Sequence, residues 1–177
     1  MDIGDLVKLT TRAWCLEILA GLDTGTPGRQ APLLAKTGAS RAAFRQSLDH
    51  LFDLHLLERN PGHGHPLRPE FRLTPKGEAL AKLAAKVIGA ADAGTPLLRK
   101  TWTVPILVMT STPVRFTGIK QGLSGITDRA LSKSLDSLQD QQWIRRDVDV
   151  TARPLRPTYL AINAGRQIAL ATQGLTR

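Results

Sequence analysis

The sequence predicts an α+β fold that is mainly α and consists of two tandem copies of one small module. The first observation is an internal repeat, since Trp14 with Ile18-Leu19 returns 88 positions later as Trp102 with Ile106-Leu107. The second is a helical apolar period that recurs in the same order in both halves. The third is a pair of short alternating segments in each half, separated by turn residues, which predicts a β-hairpin.

The repeat continues along the chain. Pro66–Phe71 returns as Pro154–Tyr159 at the same offset, and Ser47-Leu48-Asp49 returns as Ser134-Leu135-Asp136 at an offset of 87. A near-constant offset in a constant order indicates a tandem duplication, so whatever one copy binds, the molecule is expected to bind twice. We place the modules at residues 1–90 and 97–177, joined by the Gly- and Ala-rich stretch 89–96.

The first copy contains four predicted helices and one hairpin. Ser40 is a good N-cap, because its hydroxyl can accept a hydrogen bond from a free amide of the next turn. Thr74 followed by Pro75 likewise opens a helix. In order, we predict helices over about Asp5–Leu22 and Ala31–Lys36, a helix opened by Ser40 with Phe44, Leu48 and Leu51 on one face, strands Leu56–Arg59 and Phe71–Leu73, and a helix to about Ile88.

The second copy repeats this order. We predict helices over Thr101–Met109 and Thr117–Gly122, a helix capped by Thr127 with Leu131, Leu135 and Leu138 on one face, strand Trp143–Arg146, a hairpin through Thr151–Pro157, strand Tyr159–Ala161, and a helix capped by Asn163 that runs to about Thr172. This is the element order of a winged helix-turn-helix. In that module the capped third helix enters the major groove, and the hairpin touches the flanking backbone or minor groove.

Composition favours a polyanionic partner. The chain has 177 residues and a net charge of +9. Residues 1–88 contain 12 basic and 9 acidic side chains, whereas residues 89–177 contain 12 basic and 6 acidic side chains. The second copy should therefore bind an anion more tightly. No apolar run is long enough for a membrane span, and the acidic N-terminus does not resemble a signal peptide. One cysteine rules out an intramolecular disulfide, and we expect a cytoplasmic or nucleoid-associated protein.

The third helices carry the predicted base-reading residues. Arg pairs bidentately with guanine and Gln with adenine, which selects Arg41, Arg45, Gln46 and Arg129. Ser40, Thr127, Ser132 and Lys133 share the same exposed faces, and the wings add Arg68, Arg72, Arg153 and Arg156 as phosphate or minor-groove contacts. Asp128 would repel phosphate. The alternatives are a merely solvated helix face and wing arginines that pack their stems on the hairpin.

Other chemistry has little support. His63 and His65 could offer two imidazoles to a metal, but no Cys or carboxylate cluster accompanies them, so we predict no metal and no cofactor. Nucleophile, phosphate-loop and zinc-protease motifs are missing, which predicts that the chain is not an enzyme. Cys15 is expected to be a small buried side chain, and the three tryptophans are expected to pack.

The second copy resembles the HxlR-type winged-helix transcriptional regulators over nearly all of residues 99–166. The resemblance rests on Lys100-Thr101-Trp102 with Ile106-Leu107, Arg115-Phe116 with Ile119, Ile126-Thr127-Asp128-Arg129 with Leu131, Leu135 and Leu138, Arg145-Arg146, Pro154, Tyr159 and Gly165. The first copy is more degenerate and lacks the Arg-Phe pair. The chain also has Gln142 where the family has glycine, and Ile162-Asn163 where it has Leu-Thr.

Family members are single modules that dimerise through terminal helices, so the resemblance implies that this chain is a covalent pseudo-dimer. Because the junction is rich in Gly and Ala and the sequence predicts no long terminal helix, we expect a monomer. We therefore expect a sequence-specific regulator of transcription that binds double-stranded DNA, with two recognition helices in successive major grooves on an imperfect inverted repeat. A protein of the transcription machinery is a further possible partner. The alternative is a tandem winged-helix scaffold that binds protein, of the kind found among chromosome-organising accessory subunits.

Overall fold

A computed structural model describes residues 2–60, 70–91, 95–149 and 156–172. The fold is α+β and mainly helical. Backbone contacts divide the chain into two compact units. We call residues 11–89 the N-terminal unit and residues 90–177, together with residues 1–10, the C-terminal unit. The predicted first module thus differs from the structural division, because its first ten residues belong with the other unit.

In its described residues the N-terminal unit contains four helices, the last of which ends just beyond the unit, and a two-stranded sheet. Its elements are α2 (Cys15–Asp23), α3 (Gln30–Thr37), α4 (Arg41–Asp53), β1 (Leu57–Arg59), β2 (Phe71–Leu73) and α5 (Pro75–Ala91). Helix α2 packs against α3 and α4, and their apolar faces supply the core of Leu16, Ile18, Leu19, Leu33, Phe44 and Leu51. Strands β1 and β2 are antiparallel, with Leu57 opposite Leu73 and Arg59 opposite Phe71.

The C-terminal unit is built around α7. Its elements are α1 (Ile3–Thr10), α6 (Thr95–Leu98), α7 (Thr103–Met109), β3 (Val114–Arg115), α8 (Phe116–Gly122), α9 (Asp128–Asp140), β4 (Ile144–Asp149), β5 (Arg156–Ala161) and α10 (Asn163–Thr172). Helix α7 packs against α10, α1, α8 and α9, and Val104, Ile106 and Leu107 on it are fully buried. The antiparallel sheet has the order β3-β5-β4.

The predicted single helix over Asp5–Leu22 was wrong, because the chain forms α1 and α2 with a break between them. The hydroxyl of Thr10 donates to the carbonyl of Leu6, and it also lies 2.8 Å from the carbonyl oxygen of Thr101 in the same unit. Leu6 and Leu9 are buried with α7, whereas the core of the N-terminal unit begins at Cys15. The two apolar faces therefore serve different cores, and the chain breaks between α1 and α2.

Helix α4 leads into β1, and helix α9 leads into β4, through a residue with positive φ. In the N-terminal unit His55 has a φ of 55°, and the amide of Leu56 donates to the carbonyl of Leu51 at 3.0 Å. In the C-terminal unit Gln142 has a φ of 59°, and the amide of Trp143 donates to the carbonyl of Leu138 at 2.9 Å. Bonds of this kind satisfy the last carbonyls of a helix and turn the chain sharply. Gln142 thus adopts the left-handed backbone that the expected glycine would adopt.

A glycine lets the last helix of each unit approach this turn closely. A Cβ on Gly77 would overlap the carbonyl oxygen of Leu56, and a Cβ on Gly165 would overlap that of Trp143. Thr74 caps α5 by accepting from the amide of Gly77 at 3.0 Å. Asn163 instead has positive φ, and its side-chain amide donates to the carbonyl of Gln142 at 3.0 Å. The structure thus uses Asn163 to bind the preceding turn, a contact that we did not predict.

Candidate nucleic-acid interface

Helix α4 presents its predicted DNA-contact residues to solvent. Gly38 ends α3 in the left-handed conformation, with a φ of 66°, and the chain turns into α4 two residues later. The Ser40 hydroxyl then accepts from the amide of Ala43 at 3.3 Å, as the predicted N-cap requires. Phe44, Leu48 and Leu51 anchor the other face in the core, so the four predicted contact residues of this helix are all exposed: Ser40, Arg41, Arg45 and Gln46.

Helix α9 has the same arrangement with different chemistry. Gly125 has a φ of 88° in the turn after α8, and the Thr127 hydroxyl accepts from the amide of Ala130 at 3.2 Å. Leu131, Leu135 and Leu138 are almost fully buried and fix the orientation of the helix. The predicted contact residues Thr127, Arg129, Ser132 and Lys133 are all exposed.

Ion pairs change the charge that each helix can offer. On α4, Arg45 lies 3.7 Å from Asp49, and both side chains are largely exposed. Such a pair contributes only about 0.3–0.5 kcal/mol, so Arg45 can exchange its partner for a phosphate. Arg41, Arg129 and Lys133 have no acidic partner among the described residues. Among the four Lys and Arg side chains on these two helices, these three are the most available to an anion.

Asp128 has a partner that the sequence did not reveal. Lys120 on α8 forms an ion pair with it at the start of α9. The lysine neutralises the carboxylate that we expected to repel phosphate. The pair therefore removes much of the penalty at the N-terminus of α9, where the helix dipole favours an anion.

Apart from Asp128, the exposed acidic residues of both helices lie after the first two turns. Asp49 and Asp53 on α4, and Asp136 and Asp140 on α9, are exposed and lie in the later turns. Carboxylates in those turns repel phosphate, whereas the basic and hydroxyl side chains lie before them. Recognition helices of helix-turn-helix modules contact base edges with their N-terminal residues, which is consistent with this division.

Of the four arginines predicted on the hairpins, the structure describes the side chain of Arg72 alone. Arg72 lies on β2 opposite Glu58, and the two side chains form an exposed ion pair across the hairpin. Its charge is thus shared, and it is not a free cation of the wing. Arg68 and Arg153 lie outside the described residues. Arg156 begins β5, and only its backbone is described.

Our candidates did not include several exposed basic residues of the C-terminal unit, among them Lys120, Arg115 and Arg146. Lys120 lies on α8, Arg115 on β3, and Arg146 on β4 opposite Tyr159. Arg115 and Arg146 belong to the motif that carries the family resemblance, so that motif could have selected them. No sequence pattern selects Lys120, because its role depends on an ion pair with Asp128 on the next helix.

The other candidate chemistry is buried or not described. Burial raises the pKa of the Cys15 thiol to about 12, and the nearby Glu17 carboxylate adds to the effect. The thiol is therefore protonated and inert near neutral pH, which confirms the predicted buried side chain. His63 and His65 lie outside the described residues. Within the described ranges, no group of three or more His, Cys, Asp or Glu could hold a metal ion.

Trp143, at 3% exposure, is a core residue as predicted. Trp14 and Trp102 are only half-buried, and each lies directly before the first residue of its helix. In the part of the chain that the structure describes, no helix is both long and apolar enough to cross a bilayer.

Residues 97–177 match a family model described as HxlR-like helix-turn-helix. The matched segment is somewhat less than half of the chain and includes α8, α9 and the three-stranded sheet. The match supports an HxlR-type helix-turn-helix regulator, and such proteins bind double-stranded DNA and regulate transcription. No curated protein and no solved structure shows a significant match to the chain.

Proposed function

We propose that this chain is a sequence-specific regulator of transcription that binds double-stranded DNA through two winged helix-turn-helix modules, and that it is not an enzyme. The observation that carries the proposal is the first two turns of α9. There a capped helix exposes Arg129, Ser132 and Lys133 inside the segment that matches the helix-turn-helix family.

Local geometry supports a second, related module in the N-terminal unit. Helices α4 and α9 are both 13 residues long, and both have a hydroxyl N-cap. Each is followed by a residue with positive φ, His55 in one unit and Gln142 in the other. The next strand is approached in each unit by a helix with glycine at the contact. These features recur at offsets of 87 or 88 residues, as a tandem duplication would produce.

The two helices would read different half-sites. Residue pairs at the offset of 87 are Arg41 with Asp128, Arg45 with Ser132 and Gln46 with Lys133. Arg and Gln on α4 suit guanine and adenine edges, whereas α9 offers Arg129 beside a hydroxyl and a lysine. Two identical half-sites would therefore leave one helix mismatched. A single chain with two unlike helices fits an asymmetric operator, which it would bind as a monomeric pseudo-dimer.

The test is fluorescence anisotropy with a random-sequence duplex at two salt concentrations. Wild type should bind and should weaken steeply as salt rises, because cations that neutralise phosphates release counterions. Arg41→Ala and Arg129→Ala should each weaken binding, with a fall of about 1 in the salt slope for each phosphate contact that is lost. Lys82→Ala, an exposed lysine on α5 outside both helices, is the matched control.

Absence of binding at low salt would overturn the proposal and would direct the search toward protein partners, as the scaffold alternative requires. Equal losses in the Lys82→Ala control would show that net charge alone is responsible. Once an operator is known, loss of discrimination at one base pair in Arg129→Ala would identify a base contact, since such pairs contribute about 1–3 kcal/mol.

A further inference from the structure

The N-terminal unit has a cleft beside α4 that the DNA-binding proposal does not explain. Its volume is about 490 Å³, which is within the range of about 300–1,000 Å³ for small-molecule pockets. Arg45, Leu48, Asp49, Phe52 and Asp53 line one side, and they form a single stripe at helical spacing. The hairpin lines the other side with Arg59 and Phe71, which are paired across β1 and β2.

The floor of the cleft is aromatic. The rings of Phe52 and Phe71 meet edge to face, with centroids 5.5 Å apart and planes at 81°. Leu48 completes the apolar surface and is 6% exposed. An aromatic ligand can add a third ring to such a pair, because aromatic rings attract one another edge to face in addition to the effect of the buried area.

The rim of the cleft carries one cation and one carboxylate that are not matched. Arg45 and Asp49 are paired with each other. Arg59 and Asp53 are both exposed, and neither has a partner of opposite charge among the described residues. Gln30 adds a neutral amide to the lining. A ligand that matches both charges must itself carry one negative and one positive group.

This chemistry excludes the other obvious occupants. Two carboxylates in the lining repel a nucleic-acid phosphate, and two guanidinium groups repel a bare metal ion. A bound ligand with a single charge would shield both side chains from water but match only one of them, so either Arg59 or Asp53 would lose hydration without gaining a counterion, which costs free energy. The C-terminal unit does not repeat the aromatic floor, since the residue at the offset of 87 from Phe52 is Gln139, whose amide donates to the carbonyl of Leu135.

We propose that this cleft binds a small aromatic zwitterion of the aromatic amino acid class, with its carboxylate on Arg59, its ammonium on Asp53 and its ring on Phe52. Arg45 lines the cleft and also belongs to the exposed first turns of α4. If the proposed function holds, on which this step rests, a bound ligand covers the α4 surface and lowers the affinity of the chain for DNA.

The experiment is isothermal titration of the full chain with L-phenylalanine, L-tyrosine and L-tryptophan, each used separately. Phenylpropionate lacks the ammonium group and phenethylamine lacks the carboxylate, so these two probes test the need for both charges. Arg59→Gln and Asp53→Asn should each weaken binding by about tenfold, as expected for one charge-assisted hydrogen bond. Lys82→Gln removes an exposed charge outside the cleft and should bind as wild type does.

The proposal is overturned if none of the three amino acids gives a heat of binding or raises Tm. It is also overturned if the single-charge analogues bind equally well, or if the cleft variants bind unchanged while their circular dichroism matches wild type. Anisotropy with DNA then separates the two claims. Ligand binding without any DNA binding would support the cleft and refute the proposed function, whereas equal DNA affinity with and without saturating ligand would refute only the coupling.

Discussion

At the scale of single residues, Cys15 shows how far burial can shift a reactive group. Its thiol is completely inaccessible and lies 3.6 Å from the carbonyl of Ser47. A thiolate there would lose its hydration without gaining a cation strong enough to replace it, which is why its pKa is raised to about 12. The residue thus behaves as a core side chain in the pH range of the cell.

The raised pKa of Cys15 predicts a pH-dependent loss of stability. In the unfolded chain the thiol ionises near the ordinary cysteine pKa of 9.0, whereas in the folded chain it stays neutral up to about 12. Its contribution is therefore fully present below pH 9 and falls between pH 9 and 12, by about 1.4 kcal/mol per pH unit. Denaturant unfolding between pH 8 and 11 should show a steeper decline for wild type than for Cys15→Ala. Parallel curves for the two proteins would contradict this assignment.

At the scale of secondary structure, the two units use the same device to join a helix to a strand. A residue with positive φ follows α4 in one unit and α9 in the other. The carbonyl of the next residue is in close contact with a glycine of the last helix, α5 or α10. Only a glycine leaves room for that carbonyl, which belongs to Leu56 in one unit and to Trp143 in the other. The contact fixes the last helix of each unit against the beginning of its sheet.

Gly77→Ala and Gly165→Ala are expected to be strongly destabilising, because each new methyl group would overlap a backbone carbonyl, which cannot swing aside as a flexible side chain can. We expect a loss of about 2–4 kcal/mol in the free energy of unfolding, in the range of severe core overpacking. Gly89→Ala is the matched control, since a Cβ there has no neighbour within 4 Å and alanine favours helix α5. It should be neutral or stabilising by up to about 1 kcal/mol. Urea unfolding measures all three, and equal effects at the three sites would disprove the packing argument.

The elements with strong local signals were predicted well. Helices α4 and α9 follow from their hydroxyl caps and their apolar stripes, and all four major strands were placed within a few residues. Strand β3 was missed because it has only two residues and exists through its pairing with β5. The break after Thr10 was missed because the contact that accompanies it joins residues 91 positions apart. In the candidate site, the exposed residues were predictable, but the pairing of Lys120 with Asp128 was not, because it joins two helices.

At the scale of the whole molecule, the first ten residues do not belong with the residues that follow them. Leu6 and Leu9 of α1 are buried with α7, and Thr10 bonds to the carbonyl of Thr101. The N-terminal helix is therefore an integral part of the C-terminal unit. The chain therefore passes from the C-terminal unit into the N-terminal unit directly after residue 10.

Leu6→Ala should destabilise the C-terminal unit selectively. Removing a buried leucine side chain costs about 2–5 kcal/mol, and hydrogen exchange should rise in α7 and α10. Helices α2 to α4 should keep their protection. Lys8→Ala, on the exposed side of the same helix, is the control and should leave exchange in α7 unchanged. Faster exchange in α2 to α4 instead of α7 would contradict the assignment of α1 to the C-terminal unit.

The position of α1 also has a consequence for folding during translation. Helix α1 emerges before α7, but the surface that buries Leu6 and Leu9 includes α7, which is complete only at Met109. At synthesis rates of about 5–20 residues per second, Leu6 and Leu9 stay without the α7 surface for roughly 5–20 s. During that interval the segment can be captured by a chaperone or by the C-terminal unit of a neighbouring nascent chain, and the second outcome would give an exchanged dimer.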